Sequence, residues 1–196
     1  MDNPFRSIEI LQKRLLDSGF QSIVIGGVAV GIWGEPRVTR DIDLKVLFSR
    51  SEADRLLEIL SDEYLSLIPN PLEALKKQAL VFVKDEYGTR LDLLLADTPY
   101  DVIAIERGKE IVIQSETHIR VCSPEDLIIY KMISNRLRDH EDVRGIIRRQ
   151  GNLLDDEYVL DWLRQFEQAL DISGLTEEYM QLKQGHRLQS SWLSDT

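Results

Sequence analysis

The stretch Gly26-Gly27-Val28-Ala29-Val30-Gly31-Ile32-Trp33-Gly34-Glu35-Pro36-Arg37-Val38-Thr39-Arg40-Asp41-Ile42-Asp43-Leu44 decides how this chain is read. Just ahead of it, Ile23, Val24 and Ile25 form a β-branched run that suits a buried strand. Gly26-Gly27 then lets the backbone turn sharply and come close to a ligand. The apolar residues that follow predict a short helix to about Trp33. Its N-terminus faces the glycines, where free amides and the positive dipole end favour a phosphate. Gly34-Glu35-Pro36 ends that helix. Asp41 and Asp43 lie two apart on a strand predicted over about 40–47, so both side chains leave the same face. Two carboxylates held side by side repel each other unless a cation sits between them.

A glycine pair, a spacer of 13 residues from Val28 to Arg40, and the pair Asp41 and Asp43 together resemble the nucleotidyltransferase-fold superfamily. The fuller string Arg37-Val38-Thr39-Arg40-Asp41-Ile42-Asp43 is similar to small bacterial nucleotidyltransferases of the AbiEii toxin type. The resemblance covers roughly residues 22–150. It implies an α+β fold: a nucleotidyltransferase-like mixed β-sheet flanked by helices, with a C-terminal helical segment. It also implies an activity, metal-dependent transfer of a nucleoside monophosphate from an NTP to a hydroxyl acceptor with release of pyrophosphate. Under that resemblance Asp41, Asp43 and Asp92 are catalytic and hold Mg²⁺ (or Mn²⁺), while Gly26, Gly27, Arg37, Thr39, Lys131, Arg138 and Asp142 bind the nucleotide. The implied acceptor is a tRNA end, a protein hydroxyl or a small molecule. AbiEii-type toxins usually carry a longer C-terminal helical region, and about 45 residues follow position 150 here, so the resemblance leaves the acceptor and the biological role open. The alternative from another class is a non-catalytic interaction module, such as one half of a toxin–antitoxin pair.

Asp92 stands inside Leu91-Asp92-Leu93-Leu94-Leu95, an otherwise apolar strand. An acid there is costly unless paired or bound to a cation. Further on, Ser123-Pro124-Glu125-Asp126 is a strong helix start, and the helix it opens is predicted to run to about Arg149. Along it Lys131, Asn135, Arg138 and Asp142 form one polar stripe, with Ile129, Ile133, Leu137 and Ile147 opposite. The resemblance implies that this lysine and the arginine/aspartate string after it line the nucleotide site; periodicity alone equally suits a solvated, salt-bridged face. On a continuous helix Lys131 and Asp142 are about 16 Å apart, too far to touch one phosphate.

The rest of the chain fills in around these elements. An amphipathic helix is expected over 3–19, another from Ser51 to about Leu60, and one or two helical turns near 72–77. Ala79–Lys84 and Thr89–Ala96 read as a β-hairpin, followed by a helix at 99–107 and short strands at 110–114 and 118–121. Helices are expected at 155–170 and 177–183, with residues 185–196 loosely ordered as a tail. The expected division is a core over 1–122 and a helical part over 123–184.

The composition, 43% hydrophobic and 30% charged, is that of a soluble globular protein. A net charge of −10 argues against a general polynucleotide binder, which needs basic surface to displace counterions. No apolar run approaches the roughly 20 residues of a membrane span, and no signal peptide is indicated. The single Cys122 reads as a buried apolar residue and fits a reducing cytoplasm. His118, His140 and His186 show no metal-ligand spacing, and Gly-Lys-Ser/Thr of a P-loop is absent.

Overall fold

The computed structural model describes residues 4–114, 116–134 and 136–194, with side chains to residue 185. Among them the strands are β1 (Gln21–Ile25), β2 (Asp41–Leu47), β3 (Leu65–Ser66), β4 (Leu80–Lys84), β5 (Arg90–Leu95), β6 (Lys109–Ile113) and β7 (Thr117–Val121). The helices are α1 (Pro4–Asp17), α2 (Gly26–Trp33), α3 (Ala53–Leu60), α4 (Pro71–Gln78), α5 (Pro99–Glu106), α6 (Pro124–Ser134), α7 (Leu137–Gln150), α8 (Asp156–Leu170) and α9 (Leu175–Ser194). The strands form one mixed sheet in the order β3-β4-β5-β2-β1-β7-β6, so the fold is α+β as expected.

The chain divides into two compact units. The first holds the residues through Ala29 together with Val38–Ser123; the second holds Val30–Arg37 and the chain from Pro124 onward. The short segment 30–37, expected with the sheet, therefore groups with the helices, and the division falls inside α2. Sequence proximity did not reveal this, because it depends on which side chains the segment meets.

In the first unit the sheet follows from the apolar pattern. β1 buries Ile23 and Val24 completely, as a β-branched run on a central strand should. It pairs antiparallel with β2, and β2 pairs parallel with β5, which in turn pairs antiparallel with β4. On β2 the alternation is strict: Ile42, Leu44 and Val46 are buried, while Asp41, Asp43 and Lys45 take the other face. Helix α1 buries Ile8, Leu11 and Leu15 and packs on β1 and β7. The short strand β3 pairs with β4 and was not foreseen, since two residues are too few to carry a periodic signal.

The second unit is built from α6 to α9. Helix α8 buries Val159 and Leu163 on one face, as its sequence spacing predicts. Helix α9 runs from Leu175 to Ser194, well past the short helix expected at 177–183 and through most of the segment read as a tail. Cys122, at the end of the first unit, is fully buried. Among the described residues no helix is long and apolar enough to cross a membrane.

Candidate active site

Three of the expected site residues meet on one face of the sheet in the first unit. The parallel register of β2 and β5 pairs Asp41 with Arg90 and Asp43 with Asp92. Directly paired residues point to the same side of a sheet, so Asp41, Asp43, Arg90 and Asp92 share a face. Asp92 is nearly buried, and both its oxygens accept from the Arg90 guanidinium: Nε to Oδ1 at 2.7 Å and Nη2 to Oδ2 at 2.9 Å. Arg90 also lies 4.7 Å over the ring of Phe82, the residue that pairs with Asp92 from β4. The hydrogen bond to Asp92 holds the Arg90 proton above its ordinary affinity, against the opposing effect of desolvation, and the charges of Asp92, Asp41 and Asp43 add to it. Thr39, expected at the nucleotide, has its hydroxyl 3.0 Å from both the carbonyl and Oδ1 of Asp41, so it donates within this cluster. Two residues further along β2, Lys45 pairs with the buried Asp101 at 2.8 Å.

Arg90 is the residue that sequence reasoning missed. The acid inside the apolar strand was assigned a metal as its cation, yet a cation already stood two residues earlier on the same face of the strand. The alternation Arg90, Asp92 carried that signal.

The glycine pair lies against this cluster. Helix α2 begins at Gly26 itself, directly after Ile25, which pairs with Asp43. Gly26 has a φ of +65°, and a Cβ placed on it would come within 1.9 Å of Asp43 Oδ2. Only glycine gives the left-handed turn and the space that the Asp43 carboxylate occupies. Gly26→Ala is therefore expected to lower stability by about 1–2 kcal/mol through backbone strain and to displace Asp43. Urea unfolding checks the first effect, and unchanged stability would show that the turn accepts a side chain.

The expected polar stripe takes a different form in the second unit. The single helix predicted to Arg149 is two helices, α6 ending at Ser134 and α7 beginning at Leu137, with Arg136 extended before α7 at φ −90° and ψ 144°. The expected 16 Å separation of Lys131 and Asp142 is thereby replaced by an ion pair of 2.9 Å. Lys131 Nζ also lies 2.6 Å from Asp139 Oδ1, and the Ser134 hydroxyl donates to the other oxygen of Asp139. Arg37 closes the cluster with a two-pronged contact to Asp142, at 2.9 and 3.1 Å. Arg138, on the first turn of α7, is exposed; Leu137, expected on the apolar side, is 91% exposed, because α7 starts on a new face. Asn135 lies outside the described residues, as does the side chain of His186.

Burial pushes the Asp142 carboxyl up, but the hydrogen bonds and charges of Arg37 and Lys131 outweigh it and hold the group below its ordinary value. A depressed native value contributes stability that is present above the unfolded-chain pKa of about 3.9 and is lost as pH falls through the native one. The unfolding free energy is therefore expected to fall as pH drops below about 4. In Asp142→Asn this part of the dependence should vanish, so wild type and variant should converge in acid-urea titrations; parallel curves would refute the assignment.

Whether the acidic face suits a divalent metal is decided by its donors. Among the described residues no group of three or more His, Cys, Asp or Glu side chains is gathered closely enough to hold one ion. Asp92 shares the face of Asp41 and Asp43, and each of its oxygens accepts one hydrogen bond from Arg90. Asp41 and Asp43 lie two apart on the same face of β2, and Mg²⁺ is commonly held by one or two carboxylates with substrate phosphates supplying other positions. The residues fit such an ion with Asp41 and Asp43 as its protein ligands.

A family model described as nucleotidyltransferase of unknown function (DUF6036) matches residues 5–153. No curated protein sequence matches the chain. Among solved structures the chain is similar to ANT(2")-Ia in complex with adenylyl-2"-tobramycin, with a TM-score of 0.55 and 17% identity over 85% of this chain and 97% of that one. A solution structure of ANT(2'')-Ia gives a TM-score of 0.50 and 14% identity, covering 98% and 94% of the two chains. An antigenic nucleotidyltransferase-like protein from Paracoccidioides brasiliensis gives 0.50 and 16%, covering 73% of each chain. At these identities the likeness establishes the fold.

Proposed function

We propose that this chain, which belongs to the nucleotidyltransferase family DUF6036, transfers a nucleoside monophosphate from an NTP to an acceptor hydroxyl. The observation that carries the proposal is the pairing of Asp43 with Asp92 beside Asp41, on the face that adjoins the glycine turn into α2. The finer resemblance to AbiEii-type proteins rests on the Arg37–Asp43 string and on Lys131 with the arginine/aspartate string after it, while the family match is to nucleotidyltransferases more broadly.

In the proposed reaction the acceptor oxygen bonds to the α-phosphorus, the bond from that phosphorus to the β-bridging oxygen breaks, and pyrophosphate leaves. Asp41 and Asp43 would hold Mg²⁺ (or Mn²⁺), which when bound neutralises charge on the triphosphate and the leaving pyrophosphate. The chain's own groups do the rest. The first amides of α2, at Gly26 and Gly27, offer donors to phosphate oxygens. Thr39 fixes the Asp41 carboxylate through its hydroxyl. Asp92, held by Arg90 through one lone pair on each oxygen, keeps the remaining lone pairs for the proton of the acceptor hydroxyl. Lys131 and Arg37, expected at the nucleotide, form ion pairs with Asp139 and Asp142 within the second unit.

The acceptor class is open to direct test. ANT(2")-Ia is seen in complex with adenylyl-2"-tobramycin, so small hydroxylated molecules join tRNA and protein hydroxyls in the panel. Each α-³²P-labelled NTP is incubated with the panel and Mg²⁺. The expected result is acceptor labelling from the α-position, matched by pyrophosphate release. Labelling from the γ-position instead, or no pyrophosphate with any acceptor, would overturn the proposal.

A further inference from the structure

We infer that Arg90 makes the carboxylate face select a metal–nucleotide complex over a free metal ion. The inference rests on Asp41 and Asp43 being the metal–nucleotide site, and it concerns the sign of the charge that site accepts.

Four charged groups lie together on the paired ends of β2 and β5: Asp41, Asp43, Asp92 and Arg90. The guanidinium is held in place by the two-pronged bond to Asp92 and by the Phe82 ring beneath it. It is a cation built into the face, paired across the strands with Asp41 and bonded to Asp92. The side chain is also 44% exposed, so it borders the space that a ligand of this face must enter.

A fixed positive charge acts in opposite directions on the two species competing for the carboxylates. A bare divalent ion is repelled by Arg90 and must also share carboxylates that the guanidinium already neutralises in part. A metal–triphosphate complex carries net negative charge and is attracted by the same group. Strands lie about 4.8 Å apart, so a ligand on Asp43 is within a Debye length of Arg90 at physiological salt. A unit charge at this range on a partly exposed surface changes affinity by about tenfold. The result is a site that stays closed to free metal and fills when metal arrives with the nucleotide.

The test measures the two affinities separately in Arg90→Gln, which removes the charge. Mn²⁺ alone is titrated by the electron paramagnetic resonance of the free ion. The Mn²⁺ complexes of the α,β-methylene analogues of ATP, GTP, CTP and UTP are titrated by calorimetry. Relative to wild type, Arg90→Gln is expected to bind Mn²⁺ alone about tenfold more tightly and the tightest Mn²⁺–nucleotide complex about tenfold more weakly. Arg90→Lys keeps the charge without the fork, and both constants should stay near wild type. Adding Asp43→Asn to Arg90→Gln should abolish the gained Mn²⁺ binding. If Arg90→Gln does not fold by circular dichroism, Arg90→Met, which keeps an unbranched stem on the Phe82 ring, carries the same expectation. Two unchanged constants, or two that move in the same direction, would overturn the inference and leave the metal–nucleotide reading standing if wild-type binding still depends on Asp43. Absence of Asp43-dependent binding in every variant would overturn both.

Discussion

Asp43→Asn is expected to abolish nucleotidyl transfer while leaving the fold intact. Asparagine has almost the shape of aspartate, so the close contact with Gly26 and the pairing with Asp92 both survive. What disappears is one negative charge from a face that holds Asp41, Asp43 and Asp92 against Arg90. A metal held by Asp41 and Asp43 loses half of its protein carboxylates, and preorganised charge of this kind accounts for on the order of 10²-fold or more in turnover. The effect on stability is small because two consequences oppose each other. Repulsion between neighbouring carboxylates is relieved, while Arg90 loses part of the negative field that stabilises it. The comparison needs wild type and variant at saturating nucleotide with an acceptor found in the labelling screen, and thermal melts of both without metal. Transfer at the wild-type rate would remove Asp43 from the chemistry, and with it the mechanism drawn above.

The features that were legible in the sequence are those with a short period. Ile23 to Ile25 made a strand because three β-branched residues in a row suit little else, and Asp41 with Asp43 declared their shared face by a spacing of two. The same period held the Arg90 signal, since Arg90 and Asp92 are two apart on their strand just as Asp41 and Asp43 are on theirs. The break after Ser134 was hidden for a different reason. The polar stripe through Lys131, Arg138 and Asp142 continues across it at helical spacing, so periodicity cannot distinguish one helix from two. What forces the break is tertiary: Lys131 is nearly buried and needs Asp139 and Asp142 within reach, which a straight helix cannot provide for the second of them. The grouping of residues 30–37 with the helices was likewise invisible. It depends on Gly34 and Gly145 lying so close that a Cβ on either would meet the opposite segment at 3.0 Å.

Lys131→Met is expected to cost about 3 kcal/mol of stability, more than any other single change in the second unit's ion cluster. Methionine fills nearly the same volume as the lysine stem, so no cavity contributes to the loss. The charge is what matters. The ammonium lies 2.6 Å from Asp139 and 2.9 Å from Asp142, and all three side chains are at most 11% exposed. Removing one partner of a buried ion pair typically costs about 3–5 kcal/mol, because the remaining charge is left without compensation. The lower end applies here, since Arg37 still holds Asp142 through both oxygens and Ser134 still donates to Asp139. Asp139 loses its cationic contact with Lys131, so Lys131→Met combined with Asp139→Asn should recover part of the stability lost in the single variant, a favourable coupling in a double-mutant cycle. The loss should also shrink as pH falls toward about 4 and the stranded carboxylates take up protons. Urea unfolding of the four proteins at pH 7 and pH 4 measures all of this. Additive effects at both pH values would mean that Lys131 and Asp139 are adjacent without being energetically coupled, and that the break between α6 and α7 is held by apolar packing alone.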